Sequence, residues 1–252
     1  MRNLYRKLVP SETRYWIYKL RHPVAFRRLR RRVNPSLKGD FSLRSFDRYR
    51  CLFVHITKSA GTSVALSLFG ELPYHYTAMQ YRVIFGSRTF NRYFKFAFVR
   101  NPWDRLLSAY TYLRSGGWDE NDREWFQTNL AHLPDFNSFV LDWLTSERLR
   151  SHLHFRPQSD FLCDRKGRPL LDWLGYFENL QQDFDDVASR LGIKARLGRT
   201  NASVREDYRN IYTKAAMDKV ESLYRQDVEN FGYAFEGLKH RMDVRRGRFA
   251  PR

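Results

Sequence analysis

Short runs of apolar residues recur along the chain and predict buried strands. The runs at 51–56, 94–99 and 171–177 are apolar at most positions, and a fourth candidate strand, or strand end, occurs at 72–77. Nearly continuous apolar patterning is typical of a strand that is covered on both faces. Helical spacing fills the intervals, at 62–69, 78–92, 102–113, 121–132, 136–150, 178–192 and 213–230. This alternation predicts an α/β fold, a single domain with a central parallel sheet flanked by helices.

The net charge of +18 is concentrated near the N-terminus. Residues 1–50 hold fifteen Lys or Arg against three acidic residues, so they carry +12 and the other 202 residues carry +6. This asymmetry indicates partners that are themselves anionic rather than a property of the fold. We therefore divide the chain into a basic N-terminal extension (1–45), a main domain (46–240) and a basic C-terminal tail (241–252).

Aromatic and aliphatic residues alternate with arginines at 11–32, where Pro23 is expected to interrupt a helical pattern. Two interpretations stay open: a solvated basic arm, or contact with an anionic membrane surface or a polyanionic substrate. Charge alone also permits binding to nucleic acid. Because no recognition module is visible, we expect no specific nucleic-acid partner.

The sequence also bears on the compartment. No stretch of eighteen apolar residues occurs, and the N-terminus lacks the apolar core of a signal peptide. The two cysteines, Cys51 and Cys163, are far apart, which suits a reducing compartment better than a disulfide framework. We therefore expect a cytoplasmic protein that is at most peripheral to the membrane.

The segment 57–63, which follows the first predicted strand, has the character of an anion-binding loop. Gly61 lets the backbone approach a ligand, and Thr62 and Ser63 add hydroxyl donors at a helix N-terminus. Lys58 supplies a mobile positive charge. The Walker A pattern is absent, and taken alone the segment is also compatible with an ordinary strand–helix turn.

A second segment strengthens this interpretation. Arg100 directly follows the apolar run at 94–99, at the carboxyl edge where open α/β sheets bind ligands. Ser108 lies eight residues further on, about two turns inside the next helix, where it could join Arg100 on a phosphate. We expect Asp104 and Arg105 to form a surface pair or a cap. Two strand–turn–helix units side by side would direct two helix N-termini at one anion.

Together the two loops resemble those of sulfotransferases that use 3′-phosphoadenosine 5′-phosphosulfate (PAPS), in the carbohydrate branch (Golgi-type and bacterial, sulfotransferase family 2). The family's loop His-x-Pro-Lys-x-x-Gly-Thr-Ser is matched at 55–63, with Thr57 in place of proline. Its motif Phe-x-x-Arg-Asn-Pro-x-Asp-Arg-x-x-Ser-x-Tyr is matched at 97–110 with little departure. Supporting similarity is visible at 154–158, 175–180, 200–203 and 227–233, so that the resemblance covers about residues 49–236.

This resemblance implies a P-loop-like sulfotransferase fold with PAPS as the co-substrate. Lys58 would contact the 5′-phosphosulfate and its bridging oxygen. Arg100 and Ser108 would hold the 3′-phosphate, which distinguishes PAPS from adenylate nucleotides. The Thr57 substitution removes no ligand group. The remaining donors of the first loop would be Ser59, Ala60, Gly61, Thr62 and Ser63.

Transfer to a hydroxyl also requires a proton acceptor, for which histidine is suited near neutral pH. We expect His75 to be the base, because it follows the first helix near the predicted sheet edge. The related heparan sulfate 2-O-sulfotransferases use a histidine of this same region. His154 stays open as the base; otherwise His154 and Arg156 are expected to bind an anionic acceptor. His55 is expected to be structural or adjacent to the donor.

The expected function is in-line transfer of the sulfuryl group from PAPS to a hydroxyl of a carbohydrate or glycolipid, in a bacterial protein. No metal is expected, because His152 and His154 lack further ligands at suitable spacing. A P-loop kinase would need a Walker A lysine and an acidic Mg²⁺ ligand, and we find neither. The alternative is a catalytically inactive protein that binds polyanions or nucleic acid. The acceptor and the oligomeric state stay open.

Overall fold

The computed structural model describes residues 11–35, 39–198, 206–244 and 247–251. At its centre lies a parallel three-stranded sheet in the order β1 (Cys51–Val54), β2 (Phe94–Val99) and β3 (Trp173–Tyr176). Every residue of these strands except Phe94 is buried, so helices and loops cover both faces of the sheet. The predicted α/β class, with a central parallel sheet flanked by helices, is confirmed.

Helices lie before, between and after the strands. In chain order they are α1 (Ser11–Arg21), α2 (Pro23–Arg31), α3 (Arg44–Tyr49), α4 (Gly61–Phe69), α5 (Ala78–Phe85), α6 (Ser87–Arg92), α7 (Pro102–Arg114), α8 (Glu120–Asn129), α9 (Phe136–Ser138), α10 (Ser159–Leu162), α11 (Leu180–Leu191), α12 (Lys214–Leu223) and α13 (Arg225–Phe231). Helix α9 continues into one π-helical turn at Phe139–Trp143, and 3₁₀ turns occur at Arg148–Arg150, Phe177–Asn179 and Tyr208–Asn210.

Two short hairpins complete the described part of the chain. Strand β4 (Tyr233–Ala234) pairs with β5 (Gly237–Leu238), and β6 (Met242–Asp243) pairs with β7 (Ala250–Pro251). Both pairs are antiparallel, and neither joins the central sheet.

Two hydrophobic cores hold the helices in place. One surrounds the sheet, and the other lies beneath α7, where α8 and α9 contribute Phe126 and Phe136 and α12 contributes Ala216 and Val220. Trp103, in the first turn of α7, is 1% exposed and donates a hydrogen bond from Nε1 to the Met217 carbonyl at 3.0 Å. The second core therefore fixes the start of α7, directly beyond the carboxyl end of β2.

The predicted strand at 72–77 is wrong. Leu72 makes one isolated bridge to Phe41, and residues 73–77 run to the start of α5 without pairing to a described strand. Pro73 has no N–H and cannot donate to a ladder. Thr77 instead begins α5 through a capping box with Gln80. The segment is extended, but the hydrogen bonds that would make it a strand are not available to it.

Two predicted helices are shorter than expected. The helix predicted at 136–150 ends with the π-helical turn at Trp143. The helix predicted at 213–230 is divided between α12 and α13 at Tyr224, whose backbone departs from helical geometry at φ −107°, ψ 22°. Val220 and Val228, on either side of the break, both pack against the core beneath α7. Apolar periodicity therefore continues across the break, and the pattern alone could not reveal it.

The described part of the predicted basic extension packs on the domain. Helices α1 and α2 contact α5, and Phe26 is 5% exposed. Arg30 pairs with Asp47 at 2.5 Å, and Lys19 donates a hydrogen bond to the Val83 carbonyl. Among the described residues, no helix is both long and apolar enough to cross a membrane.

Candidate functional site

The loop between β1 and α4 has the backbone geometry of a tight ligand cradle. Lys58 and Ala60 both adopt left-handed conformations, with φ of 64° and 60°. Such conformations cost free energy in residues other than glycine and persist where the surroundings impose them, often at ligand-binding sites. Helix α4 then begins at Gly61, and its N-cap residue, Ala60, provides no side-chain hydrogen bond. The first N–H groups of α4 are thus not capped by that residue and suit an anion.

Gly61 is required by the packing beneath this loop. A Cβ at that position would lie 2.0 Å from Cδ2 of His55, far inside van der Waals contact. The His55 ring is buried, stacks on Phe53 and lies 4.2 Å from the ring centroid of His75. Burial and the neighbouring His75 lower the pKa of His55 well below its usual value, so His55 is a neutral support for the loop. This agrees with the structural role expected for it.

Arg100 connects the second loop directly to the first. Its Nη1 donates a hydrogen bond to the carbonyl oxygen of Lys58 at 3.1 Å, and its Nε donates to Asp104 at 2.6 Å. The guanidinium also lies 4.1 Å from the ring centroid of Phe177, and the residue is only 6% exposed. Stacking and the carboxylate together hold the guanidinium plane in one orientation. The structure therefore brings the two sequence-predicted loops together at one edge of the sheet.

Gln158 joins the same two loops from a third element. Its Oε1 accepts hydrogen bonds from Ser59 Oγ at 3.2 Å and from the Arg100 N–H at 3.0 Å. Its Nε2 donates to the Arg100 carbonyl at 2.9 Å, and the residue is fully buried. The sequence placed Gln158 in a supporting motif without assigning it a role. Nothing local marks this residue, because its partners lie 58 and 99 positions away.

Asp227 in turn fixes the backbone of Gln158. Its carboxylate accepts hydrogen bonds from the N–H groups of Gln158 at 2.7 Å and Ser159 at 2.8 Å, and it is fully buried. Burial raises the pKa of Asp227, although nearby Arg105 and these hydrogen bonds lower it. The break at Tyr224, between α12 and α13, immediately precedes this carboxylate.

The expectation of a surface pair or cap formed by Asp104 and Arg105 is wrong. Asp104 pairs with Arg100, whereas Arg105 is 2% exposed and donates hydrogen bonds to the carbonyls of His154 and Arg156. Consecutive residues of a helix point in directions about 100° apart, so one faces the ligand edge and the other the interior. Arg105 therefore orients the segment that carries His154.

The start of α7 is secured from β3 as well. Asn101 caps the helix by accepting a hydrogen bond from the Trp103 N–H at 3.0 Å. The Asn101 N–H donates to Glu178 at 2.9 Å, and Tyr233 Oη donates to the same carboxylate at 2.8 Å. Burial raises the pKa of Glu178 despite these hydrogen bonds. Ser108 is buried within α7, at 1% exposure, eight residues beyond Arg100.

His75 lies beside the first loop with a defined tautomer. Its Nδ1 is 2.8 Å from the His55 carbonyl oxygen, which can only accept a hydrogen bond, so the proton resides on Nδ1. The lone pair is consequently on Nε2. Burial lowers the pKa of His75, although the same hydrogen bond opposes the shift. A neutral imidazole with its basic nitrogen defined has the properties of a general base.

A second histidine group lies across the same loop. His152 and His154 approach the two carboxylate oxygens of Asp122 at 3.5 Å and 3.9 Å. Burial lowers the pKa of His154 to about 4, against the opposing effect of Asp122. Burial would raise the pKa of Asp122, but the neighbouring His154 and a hydrogen bond from the Trp118 N–H lower it to about 2. His154 Nδ1 is buried without a hydrogen-bond partner among the described residues.

Tyr112 connects Lys58 to this histidine group. The Lys58 ammonium lies 3.8 Å from the centroid of the Tyr112 ring, and the Tyr112 ring meets His154 edge-on at 5.0 Å. An ammonium over an aromatic face is held by the ring's quadrupole without neutralisation of its charge. No motif in the sequence marks Tyr112 or Asp122 as members of this site. Both lie on helices whose other residues account for the apolar pattern.

Arg156 is less available than expected for an anionic acceptor. Its Nε pairs with Asp160 at 3.3 Å, and its guanidinium lies over the Phe161 ring at 4.9 Å. The supporting motif at 200–203 falls outside the described residues. Among the residues that are described, no group of three or more His, Cys, Asp or Glu could hold a metal ion.

The chain is similar in sequence to known proteins. A sequence model of the sulfotransferase family matches residues 75–234, which include the second loop, both histidine groups and Asp227. The first loop lies just before the matched range and is joined to it by Arg100 and Gln158. An uncharacterised protein of Archaeoglobus fulgidus is 29% identical over 127 residues, covering 50% of this chain and 91% of that protein.

Among solved structures, mouse sulfotransferase SULT7A1 complexed with PAP covers 79% of this chain and 95% of its own, at 13% identity and a TM-score of 0.36. The family match extends over more than half of the chain and includes the motif at 97–110. The chain belongs to the sulfotransferase family.

Proposed function

We propose that the protein transfers the sulfuryl group of PAPS to a hydroxyl of a carbohydrate or glycolipid. The observation that carries this proposal is the union of the two anion loops. Arg100 donates to the Lys58 carbonyl, and Gln158 is hydrogen-bonded to both loops. A donor with separate anionic groups at its 3′ and 5′ positions requires two such loops at a fixed separation.

The two loops divide the recognition of PAPS. Lys58 and the donors at 59–63 bind the 5′-phosphosulfate, where the N-terminus of α4 supports negative charge. Arg100 and Ser108 bind the 3′-phosphate, beside the start of α7. Arg100 is held in place before the donor arrives, so little side-chain entropy is lost on binding.

His75 acts as the general base of the reaction. The acceptor oxygen forms a bond to sulfur while the bond from sulfur to the bridging phosphate oxygen breaks, and the hydroxyl proton passes to His75 Nε2. Lys58 stabilises the charge that develops on the bridging oxygen, which leaves as part of 3′-phosphoadenosine 5′-phosphate. Catalysis then consists of positioning and charge stabilisation, as in phosphoryl transfer.

The polar groups near the loops support a neutral hydroxyl acceptor. The described arginines of this region are engaged, Arg105 by backbone carbonyls and Arg156 by Asp160. His154 and Tyr112 therefore offer hydrogen-bonding groups rather than a cationic pocket. These features favour an acceptor recognised by hydroxyl groups over one recognised by carboxylate or sulfate.

Donor recognition is tested by thermal stabilisation. We expect 3′-phosphoadenosine 5′-phosphate to raise Tm more than ATP does, and Arg100→Ala to abolish the difference. The Tm of the unliganded variant shows whether the fold is retained. Equal stabilisation of the wild type by both nucleotides would contradict the assignment of the second loop.

Transfer is tested with labelled PAPS and a panel of glycans and glycolipids. We expect label in at least one acceptor with a free hydroxyl, and none when Lys58→Ala replaces the wild type. Binding of the bisphosphate without transfer to any acceptor or to water would favour the alternative, a catalytically inactive polyanion-binding protein.

A further inference from the structure

Helices α1 and α2 present an apolar surface that faces away from the domain. Trp16, Leu20 and Val24 are 53%, 60% and 49% exposed, and Tyr18 is 50% exposed. Only two other large hydrophobic side chains of the described residues are comparably exposed, Leu141 and Leu153, and they belong to other segments. Tyr18 packs against Phe26 and His22. Scattered apolar exposure is ordinary in soluble proteins, but Trp16, Leu20 and Val24 lie within nine residues and form a patch.

This exposure does not result from a missing contact with the domain. The opposite side of the two helices is already packed: Phe26 is buried, and Tyr15 meets both Phe26 and Tyr76 at ring-centroid distances of 5.2 Å and 6.0 Å. Trp16 and Leu20 are four residues apart and therefore share the outer face of α1. The pair of helices is anchored on one side and apolar on the other.

Arginines surround the apolar side chains. Arg21, Arg27, Arg28, Arg31 and Arg32 are exposed, and none of the five forms an ion pair with a residue that the structure describes. Val24, Arg27, Arg28 and Arg31 are spaced by three, four and seven residues, so they lie along one side of α2. The sequence from 13 to 35 contains no acidic residue.

We infer that this outer face of α1 and α2 docks on an anionic lipid bilayer. A soluble polyanion would be bound by the arginines alone and would leave Trp16 and Leu20 in water. A bilayer interface accommodates both kinds of side chain, because anionic headgroups attract the arginines and the acyl boundary takes up the indole and the leucine. The helices contain 11 and 9 residues and are too short to span a bilayer, so they would lie along its surface, in the interfacial region.

Vesicle flotation tests the inference on the full chain. We expect the protein to bind vesicles of phosphatidylcholine that contain about 30% phosphatidylserine, and to bind vesicles of phosphatidylcholine alone only weakly. Arg27→Gln, Arg28→Gln and Arg31→Gln together should weaken binding about a hundredfold. Trp16→Ser with Leu20→Ser should weaken it about tenfold or more. All five side chains lie on the outer face, so the fold should be retained.

Matched controls remove equal charge or apolar surface elsewhere. Arg88→Gln, Arg92→Gln and Arg225→Gln remove three exposed arginines, and Leu141→Ser removes an exposed leucine. These variants should bind vesicles within about twofold of the wild type, since they lie outside the outer face. Equal loss of binding in the controls would overturn the inference.

Other occupants give distinct results. If the true partner were a soluble polyanion, the double variant Trp16→Ser, Leu20→Ser would bind vesicles as well as the wild type does. It would also bind a heparin-like polymer equally well. A second copy of the chain would appear as a dimer in sedimentation that the same variant dissolves, without vesicle binding by the wild type. Either result would overturn the inference. The sulfotransferase activity on a soluble acceptor should be unchanged in every outer-face variant. Activity and vesicle binding therefore test the proposed function and the membrane inference separately.

Discussion

At the scale of single residues, the properties of His75 follow from one hydrogen bond. Donation from Nδ1 to the His55 carbonyl fixes the tautomer, and burial keeps the ring neutral at neutral pH. His154 has the reverse arrangement, with Nε2 toward Asp122 and Nδ1 unpartnered among the described residues. The two histidines thus offer different ring nitrogens to the same loop.

Replacing His75 with alanine should separate chemistry from donor binding. We expect kcat to fall by about 10²- to 10⁴-fold, the usual contribution of a general base, while the Kd for 3′-phosphoadenosine 5′-phosphate changes about twofold or less. Steady-state rates and calorimetric titration measure the two quantities. His132→Ala, which alters an exposed histidine, should affect neither. Near-normal turnover by His75→Ala, with loss in His154→Ala, would transfer the role of base to His154.

The residues that could be placed at the sheet edge from the sequence are those with a local signal. Lys58, Arg100 and Ser108 occupy fixed places in short motifs that follow apolar strands, so their proximity to the sheet edge could be predicted. Asp122 and Tyr112 could not, because each becomes part of the site only through contacts made by distant segments.

At the scale of elements, the three strands were predictable because both of their faces are buried. The false strand at 72–77 also contains apolar residues, but Pro73 cannot donate to a neighbour and Thr77 caps a helix. Apolar content reports burial, whereas strand pairing also needs available N–H groups on both partners. The break between α12 and α13 was missed for a related reason, since the side chains remain in register with the core.

The turn into α4 depends on the absence of a side chain at Gly61. In Gly61→Ala, the added methyl would meet the His55 ring at 2.0 Å, and the ring is confined by Phe53 and His75. We expect a loss of about 1–3 kcal/mol in the free energy of unfolding, measured in urea, together with weaker donor binding. Gly198→Ala is the matched control, because its Cβ would come no closer than 3.6 Å to a neighbour. Equal effects of the two substitutions would show that the packing argument is wrong.

At the scale of the whole molecule, Gln158 joins the two loops from a third element, in addition to the direct bond from Arg100 to Lys58. Gln158→Leu keeps the volume but removes all three side-chain hydrogen bonds to Ser59 and Arg100. We expect about 2–4 kcal/mol of destabilisation from the unpaired buried groups. Saturating 3′-phosphoadenosine 5′-phosphate should raise the Tm of the variant less than that of the wild type. An unchanged ligand-induced shift would mean that the loops are positioned independently of Gln158.

Low pH should destabilise the fold through its buried histidines. The folded-state pKa of His154 is about 4, below the unfolded value of 6.5. Between these values the unfolded chain binds more protons, so the free energy of unfolding decreases as the pH is lowered. For His154 alone the loss from pH 7 to pH 5 is about 2 kcal/mol. The raised pKa values of Glu178 and Asp227 act in the opposite direction, so the comparison needs a variant.

Urea unfolding of the wild type and of His154→Asn at both pH values isolates this contribution. The variant should lose about 2 kcal/mol less than the wild type on acidification. Identical pH dependence of the two proteins would mean that His154 titrates alike in the folded and unfolded chain.

The connection of Asp227 to Gln158 has a consequence for the order of events during translation. A nascent chain that has reached residue 150 already contains both anion loops, yet it lacks Gln158, which is hydrogen-bonded to both, and Asp227, which holds the Gln158 backbone. Contacts over 58 to 69 positions form late, because long loops must close first. PAPS can therefore stabilise the finished polypeptide but cannot assist the folding of its first half on the ribosome.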